Sequence, residues 1–201
     1  SRFLSAALYG YPRTLEQKLL SDSSLSRESA LRIIDYYRDI IKQFPDMNTA
    51  ADARYRIAVI ASEHLLDYDI AINEIDILAN QKMRMPVTAS ALNILGDIYL
   101  IRDDMEKAKD GYNSIIANYQ KMAPEESLKA KFNLAEIEFY SGNIDTSQKM
   151  YNELAVSSNS DLANDAIERN ILIEQNKTLI KGLSLFAQSQ LKLKQKKYIE
   201  S

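Results

Sequence analysis

Small and aromatic residues recur along this 201-residue chain at a nearly fixed interval. Ala58, Gly96 and Ala135 stand 38 and 39 positions apart, Tyr112 and Tyr151 stand 39 apart, and Ala71 and Ala108 stand 37 apart. A period of this length means that one supersecondary unit is repeated, and that each unit completes its core only by stacking on its neighbours. The prolines keep the same beat: Pro12, Pro45, Pro86 and Pro124 are separated by 33, 41 and 38 residues. Proline removes a backbone donor and blocks a helix interior, so it belongs in loops or in a first helical turn. Such prolines mark joints. Only 5 Gly and 4 Pro interrupt the chain, and the stretches between them are long and periodic. The expected fold class is all-α.

The unit is clearest over residues 89–122. Two helical patterns flank a polar turn at Arg102, Asp103 and Asp104. Gly96 in the first helix and Ala108 in the second are small enough to let paired helices approach, with Tyr99 and Tyr112 beside them. Enlarging Gly96 to Leu is expected to overpack that contact at a cost of ~1–3 kcal/mol. The same pairing places helices at 48–66 and 68–80, at 88–101 and 104–119, and at 124–140 and 144–156. Ser141, Gly142 and Asn143 form one turn, with Gly or Asn suited to a left-handed helix end. Upstream, Ser26 can cap a helix over 26–44, with Glu28 and Ser29 just inside it. Ala30, Ile33, Ile34, Tyr37, Ile40, Ile41 and Phe44 make its buried stripe, and Pro45 stops it. Near the start, Gly10 and Pro12 are expected to interrupt an apolar segment. Thr14 then caps a short helix over 14–20, with Gln17 as the capping-box partner. Polar loops are expected at 21–24 and 157–160. Helices follow at 161–174 and 178–194. The last pair reads either as an irregular repeat or as the start of a new first helix, and residues 196–201 read as the beginning of a further, truncated helix.

These residues resemble the tetratricopeptide repeat family. Counted from Ala89, the family's small, aromatic, Ala and aromatic positions are filled by Gly96, Tyr99, Ala108 and Tyr112. Leu92 replaces the common Trp, and Gln120 stands where Pro is usual, with Pro124 following. The unit ending near 156 keeps Ala135 and Tyr151 but has Glu138 and Ser147 at the other two places. The unit near 51 keeps Ala58, Tyr68 and Ala71, with one extra residue in its turn. The resemblance implies a right-handed superhelical array of antiparallel helix pairs, an α-solenoid, forming one domain over 1–201. Its repeats are 26–45 (the second helix of a partial unit), 48–81, 88–120, 124–157 and an irregular 161–201. The repeat-defining residues are Ala58, Ala71, Gly96, Tyr99, Ala108, Tyr112, Ala135 and Tyr151. The run from Tyr37 through Phe44, Pro45 and Asp46, followed by Ala50, Ala51, Asp52, Ala53, Tyr55 and Ala58, is similar to bacterial envelope repeat proteins. That similarity implies a periplasmic or outer-membrane-associated location, with a cytoplasmic one as the alternative.

In such arrays the first helices line a concave groove. The resemblance assigns partner contacts to Tyr55, Val59 and Ser62, to Asn93, Asp97 and Leu100, and to Phe132, Glu136, Phe139 and Tyr140. A groove of aromatics and acids suits an apolar, partly basic peptide or helix. Phe132, Phe139 and Tyr140 equally suit packing between units. The Lys/Asn set that clamps a terminal carboxylate in chaperone-binding members is not reproduced, since Asn93 and Lys129 stand alone.

Other chemistry finds little support. A net charge of -3 and a pI near 5.3 argue against nucleic acid, which is held by a basic excess. With no Cys and one histidine, His64, neither a thiolate nor a histidine metal site can be built. Asp103, Asp104, Glu125 and Glu126 fall at helix starts, where acids complement the dipole. No phosphate-binding glycine loop, calcium loop or nucleophile elbow occurs. No enzyme activity, cofactor or metal is expected. No apolar run reaches the ~18 residues of a membrane span, although a signal or lipid anchor upstream of Ser1 is compatible with the sequence. Six lysines against Glu200 over 177–201 suit either a solvated helix face or contact with an anionic partner. The expected function is a non-catalytic protein–protein interaction scaffold binding a peptide or helix in a bacterial envelope assembly. The alternatives are a self-associating structural module or the regulatory repeat domain of a larger protein.

Overall fold

The computed structural model describes residues 2–21, 26–81, 85–157 and 161–199, with the side chains of 2, 157 and 196–199 left aside. Among the described residues there are ten α-helices and no strand. They are α1 (Arg2–Ser21), α2 (Arg27–Gln43), α3 (Asn48–Ile60), α4 (Tyr68–Ala79), α5 (Pro86–Ile101), α6 (Met105–Tyr119), α7 (Pro124–Tyr140), α8 (Ile144–Ser157), α9 (Asp161–Gln175) and α10 (Ile180–Ile199). Most of each expected loop, 22–24 and 158–160, lies outside the described residues. The chain divides into two compact units, Ser1–Leu95 and Gly96–Ser201.

In the first unit α1 packs on α2 and α3, α2 on α3, and α3 on α4. α2 forms as its sequence dictates. The Ser26 side chain accepts the Ser29 N–H at 3.2 Å, and Ala30, Ile33, Ile34, Tyr37 and Ile40 are buried at spacings of three and four. Their neighbours are Ala53, Ile57 and Ile60 of α3, with Tyr9, Leu15 and Leu19 of α1 packed against them.

The first helix corrects the sequence reading. Gly10 and Pro12 do not interrupt it, and Thr14 is no cap, because α1 runs unbroken from Arg2 to Ser21. The Thr14 hydroxyl instead donates to the Gly10 carbonyl at 2.9 Å. A proline in a helix interior costs ~3 kcal/mol. Here the helix is anchored on both sides of the proline: Tyr9 before it packs against Tyr37, and Leu15, Glu16 and Leu19 after it are engaged by α2 and α3.

A second correction concerns α3. The extra residue of this repeat sits not in the turn but in a π-helical turn, Ala61–Leu65, that ends the helix. One inserted residue widens one turn, the usual origin of π geometry. Beyond it Leu66 takes the left-handed conformation at φ 53°, and the matching turns use Asp103 at 62° and Gly142 at 79°. These three positions are 37 and 39 residues apart, the period of the sequence itself. In the latter two turns the next N–H closes a six-residue loop, Asp104 onto the Tyr99 carbonyl and Asn143 onto that of Glu138, which satisfies the helix end. Asp67 and Asp104 then cap α4 and α6, accepting the N–H of Ile70 and Lys107, each at 3.2 Å.

In the second unit α6, α7, α8 and α9 pack in succession, and α10 packs on α7. The core joins Ala135, Phe139 and Tyr140 of α7 to Tyr151 and Leu154 of α8, Ala166 and Ile173 of α9, and Leu183, Ala187 and Leu191 of α10. The chain end also departs from expectation. Residues 196–199 start no new helix, because α10 continues through them to Ile199, and 200–201 lie outside the described residues.

Candidate partner-binding face

The groove assigned from the sequence is made of first-helix residues, and the two units place them differently from one another. In the first unit Tyr55 is half-buried beneath the Arg56 guanidinium, 5.7 Å from its ring centre. Val59, Ser62 and Asn93 are buried, and the Ser62 hydroxyl donates to the Val59 carbonyl at 3.2 Å. In the second unit Leu100, Glu136, Phe139 and Tyr140 are buried, while Asp97 and Phe132 are half-buried.

What covers part of this face in the second unit is a helix of the same chain. Leu183, Ala187 and Leu191 repeat every four residues along α10 and enter the cluster of Phe139 and Tyr140. At the far end the Lys194 ammonium lies 3.3 Å from Asp97 Oδ1. The Gln195 side chain donates to the Leu100 carbonyl at 3.1 Å and to Asp103 at 2.9 Å. α10 therefore lies along α7 and ends against the last turn of α5.

Beneath that surface runs a polar device the sequence reading missed. Glu136 of α7 is buried and accepts four hydrogen bonds. Tyr151 of α8 donates at 2.5 Å and Tyr140 at 2.7 Å, and Arg169 of α9 clamps both oxygens at 2.7 and 2.8 Å. The Arg169 guanidinium also lies over the Phe139 ring at 5.3 Å. Burial alone would lower the Arg169 pKa, but the bonds and charge of Glu136 outweigh it and hold it above the usual value. The first unit repeats the arrangement. Glu16 of α1 is fully buried, accepts from Tyr37 of α2 at 2.8 Å, and is clamped by Arg56 of α3, with Arg13 3.3 Å away. Three consecutive helices thus supply acid, tyrosine and arginine in the same order twice. A third copy uses Asp97 of α5 and Tyr112 of α6, at 3.0 Å, and takes its cation from Lys194 of α10.

One signal for these clamps was present in the sequence. Asp97 directly follows Gly96, Glu136 directly follows Ala135, and the tyrosine stands 15 residues beyond the acid in both of these repeats, against 21 for Glu16 and Tyr37. Read singly, each acid looks like solvent-facing charge. Its cation lies 33 to 97 residues away and no local pattern points to it.

Phe132 remains partly open. With Asp165, Glu168, Arg169 and Leu172 it lines a groove of about 490 Å³ between α7 and α9. His64 is exposed within the π turn. Glu125 and Glu126 lie in the first turn of α7. Among the described residues no group of three or more His, Cys, Asp or Glu side chains is placed to hold a metal ion, and no helix is long and apolar enough to cross a membrane. No protein-family model matches the chain, and neither a curated protein nor a solved structure shows significant similarity to it.

Proposed function

We propose that this chain is a non-catalytic protein-interaction scaffold, a right-handed array of tetratricopeptide-like helical hairpins whose first-helix face receives a helix of a partner protein. One observation carries the reading: the face of α7 and the end of α5 already holds a helix, α10, through aliphatic residues at four-residue spacing and a lysine set on Asp97. Helix-in-groove recognition uses this pattern of anchors. The periodic left-handed turns and the recurring acid–tyrosine–cation clamps support the repeat assignment. The partner surface not taken by α10 centres on Phe132 in the second unit, with its groove against Arg169 and Leu172, and on Tyr55 in the first. The partner segment is an amphipathic helix with aliphatic anchors and basic ends. The bacterial envelope location rests on the run from Tyr37 to Asp46 and the alanine-rich stretch after it.

The test is site-specific photo-crosslinking in the native host, with the reactive side chain at Phe132, at Tyr55 and, as a control, at the exposed Asn118 of α6. Discrete protein adducts at Phe132 or Tyr55 and not at Asn118 are expected. The same adducts from all three positions would show that the face has no part in recognition. A second reading, self-association, is favoured by the exposed apolar side chains of α9 and α10.

A further inference from the structure

The outward faces of α9 and α10 are both apolar, and their charges are opposite. On α9, Ile167 and Ile171 are 43% and 49% exposed. Asp161, Asp165 and Glu168 are exposed on the same helix, as is Glu174, which meets Lys177 of the same chain at 2.6 Å, while the helix's single cation, Arg169, is turned inward onto Glu136. On α10, Leu185, Phe186 and Leu193 are 67%, 40% and 68% exposed, and Lys181 and Lys192 are exposed beside them. No acidic residue occurs from 175 to 199. Gly182, Phe186, Ser189 and Leu193 follow heptad spacing with small and large side chains alternating, the pattern that lets a second helix settle closely. α10 uses its buried side on α7 and the end of α5, and its outer side stays free of that core.

We propose that these two faces bind each other between copies of the chain, α9 of one copy packing on α10 of a second and the reverse, in a symmetric dimer. Charge selects this occupant. Pairing α10 with α10 would set lysine against lysine, and pairing α9 with α9 would set acid against acid. An anionic lipid surface would attract α10 but repel the acids of α9 next to it in the chain. Reciprocal contact of two complementary faces is the arrangement that closes a twofold pair. The acidic side of this contact borders the Phe132 groove, which Asp165 and Glu168 also line, whereas Ile171, Lys181 and Lys192 stand outside it, so their variants test the dimer without touching the partner face.

The test is light scattering on the full chain over a range of concentrations, with two charge-reversed variants. The parent is expected to shift from monomer to dimer. Lys181→Glu/Lys192→Glu alone and Glu168→Lys/Glu174→Lys alone are each expected to weaken the dimer about 100-fold or more. Mixed one to one, they restore both contacts and should dimerise with each other. Circular dichroism confirms the fold of each, and Ile171→Asp provides a second disruption that touches no lysine. A parent that stays monomeric at every concentration overturns the proposal, as do variants that dimerise unchanged or a mixture that fails to pair. So does binding of monomers to vesicles of anionic phospholipid without self-association.

Discussion

Glu136 is the side chain on which the polar geometry of the second unit converges, and its removal or isolation has a definite consequence. Arg169→Met leaves a buried carboxylate facing two phenols and should cost ~3–5 kcal/mol, measured by denaturant unfolding. Replacing both charged partners, Glu136→Leu with Arg169→Met, in a background of Tyr140→Phe and Tyr151→Phe that leaves no orphaned phenol, should recover much of that loss, because the price of desolvating two charges disappears with them. The contrast between single and double variants separates a clamp from a surface ion pair, for which both changes are near zero. Gly96 shows the same dependence on a neighbour. A Cβ added there meets the ring of Tyr112, which is fully buried and tied to Asp97, so the ring has nowhere to move. Gly96→Ala should therefore destabilise by ~1–3 kcal/mol. Gly111, on α6, has nothing within 4 Å of its added Cβ. Gly111→Ala should stabilise by ~0.4–1 kcal/mol through the unfolded chain and helix propensity. The tyrosines add a pH signature. Burial first, then the facing carboxylate, raises the phenol pKa of Tyr37, Tyr112, Tyr140 and Tyr151 above the usual value near 10. Unfolded, they titrate near that usual value. Their contribution is whole below it and falls above it by ~1.4 kcal/mol per pH unit for each tyrosine. Three of the four belong to the second unit. Raising the pH beyond 10 should unfold that unit first, with tyrosinate absorbance rising together with the loss of helix; tyrosinate appearing in the folded state would contradict the assignment.

Among the elements, the regular hairpins were legible from residue spacing and the exceptions were not. α7 begins and ends where proline placement and the Ser141 to Asn143 turn put it, and Ser26 caps α2 as its side chain predicts. These are local signals, resolved within one helical turn. α1 defeats the local rule because contacts with α2 and α3 outweigh the penalty of Pro12, and no sequence window contains both. The π turn of α3 was visible as one extra residue but not as a widened helix, since periodicity counts residues without saying which turn absorbs them. α10 was the least legible. Its apolar residues lie on both faces, and its docking on Asp97 and Leu100 joins positions more than 90 residues apart. The groove positions are legible in the sequence, but which of those on α7 and the end of α5 are covered depends on that one helix. α10 also carries a direct prediction. Ala187 is fully buried at its seat, so Ala187→Glu should strip the amides of α10 of hydrogen-exchange protection while those of α2 and α3 keep theirs. Uniform loss of protection along the chain would mean that α10 is core and not a seated occupant.

On the scale of the whole molecule, each unit is a short run of helices in which a buried or half-buried acid meets a tyrosine on the next helix, and in the second unit that acid twice stands beside a small register residue. The second unit differs by having a helix return along its first-helix face. That return gives the proposed function its physical content, because a face able to hold α10 through aliphatic anchors and a lysine is chemically a helix receptor. A helix receptor of this kind requires α10 to lie where Lys194 meets Asp97 within one chain. Zero-length carbodiimide coupling joins only amine and carboxylate groups already in contact, and the pair is 3.3 Å apart. Coupling the native chain under dilute conditions and analysing the monomer fraction by mass spectrometry should recover a crosslink between Lys194 and Asp97. A monomer in which Lys194 couples only to other carboxylates, with Asp97 unmodified, would contradict the seating of α10 and the helix-binding reading built on it.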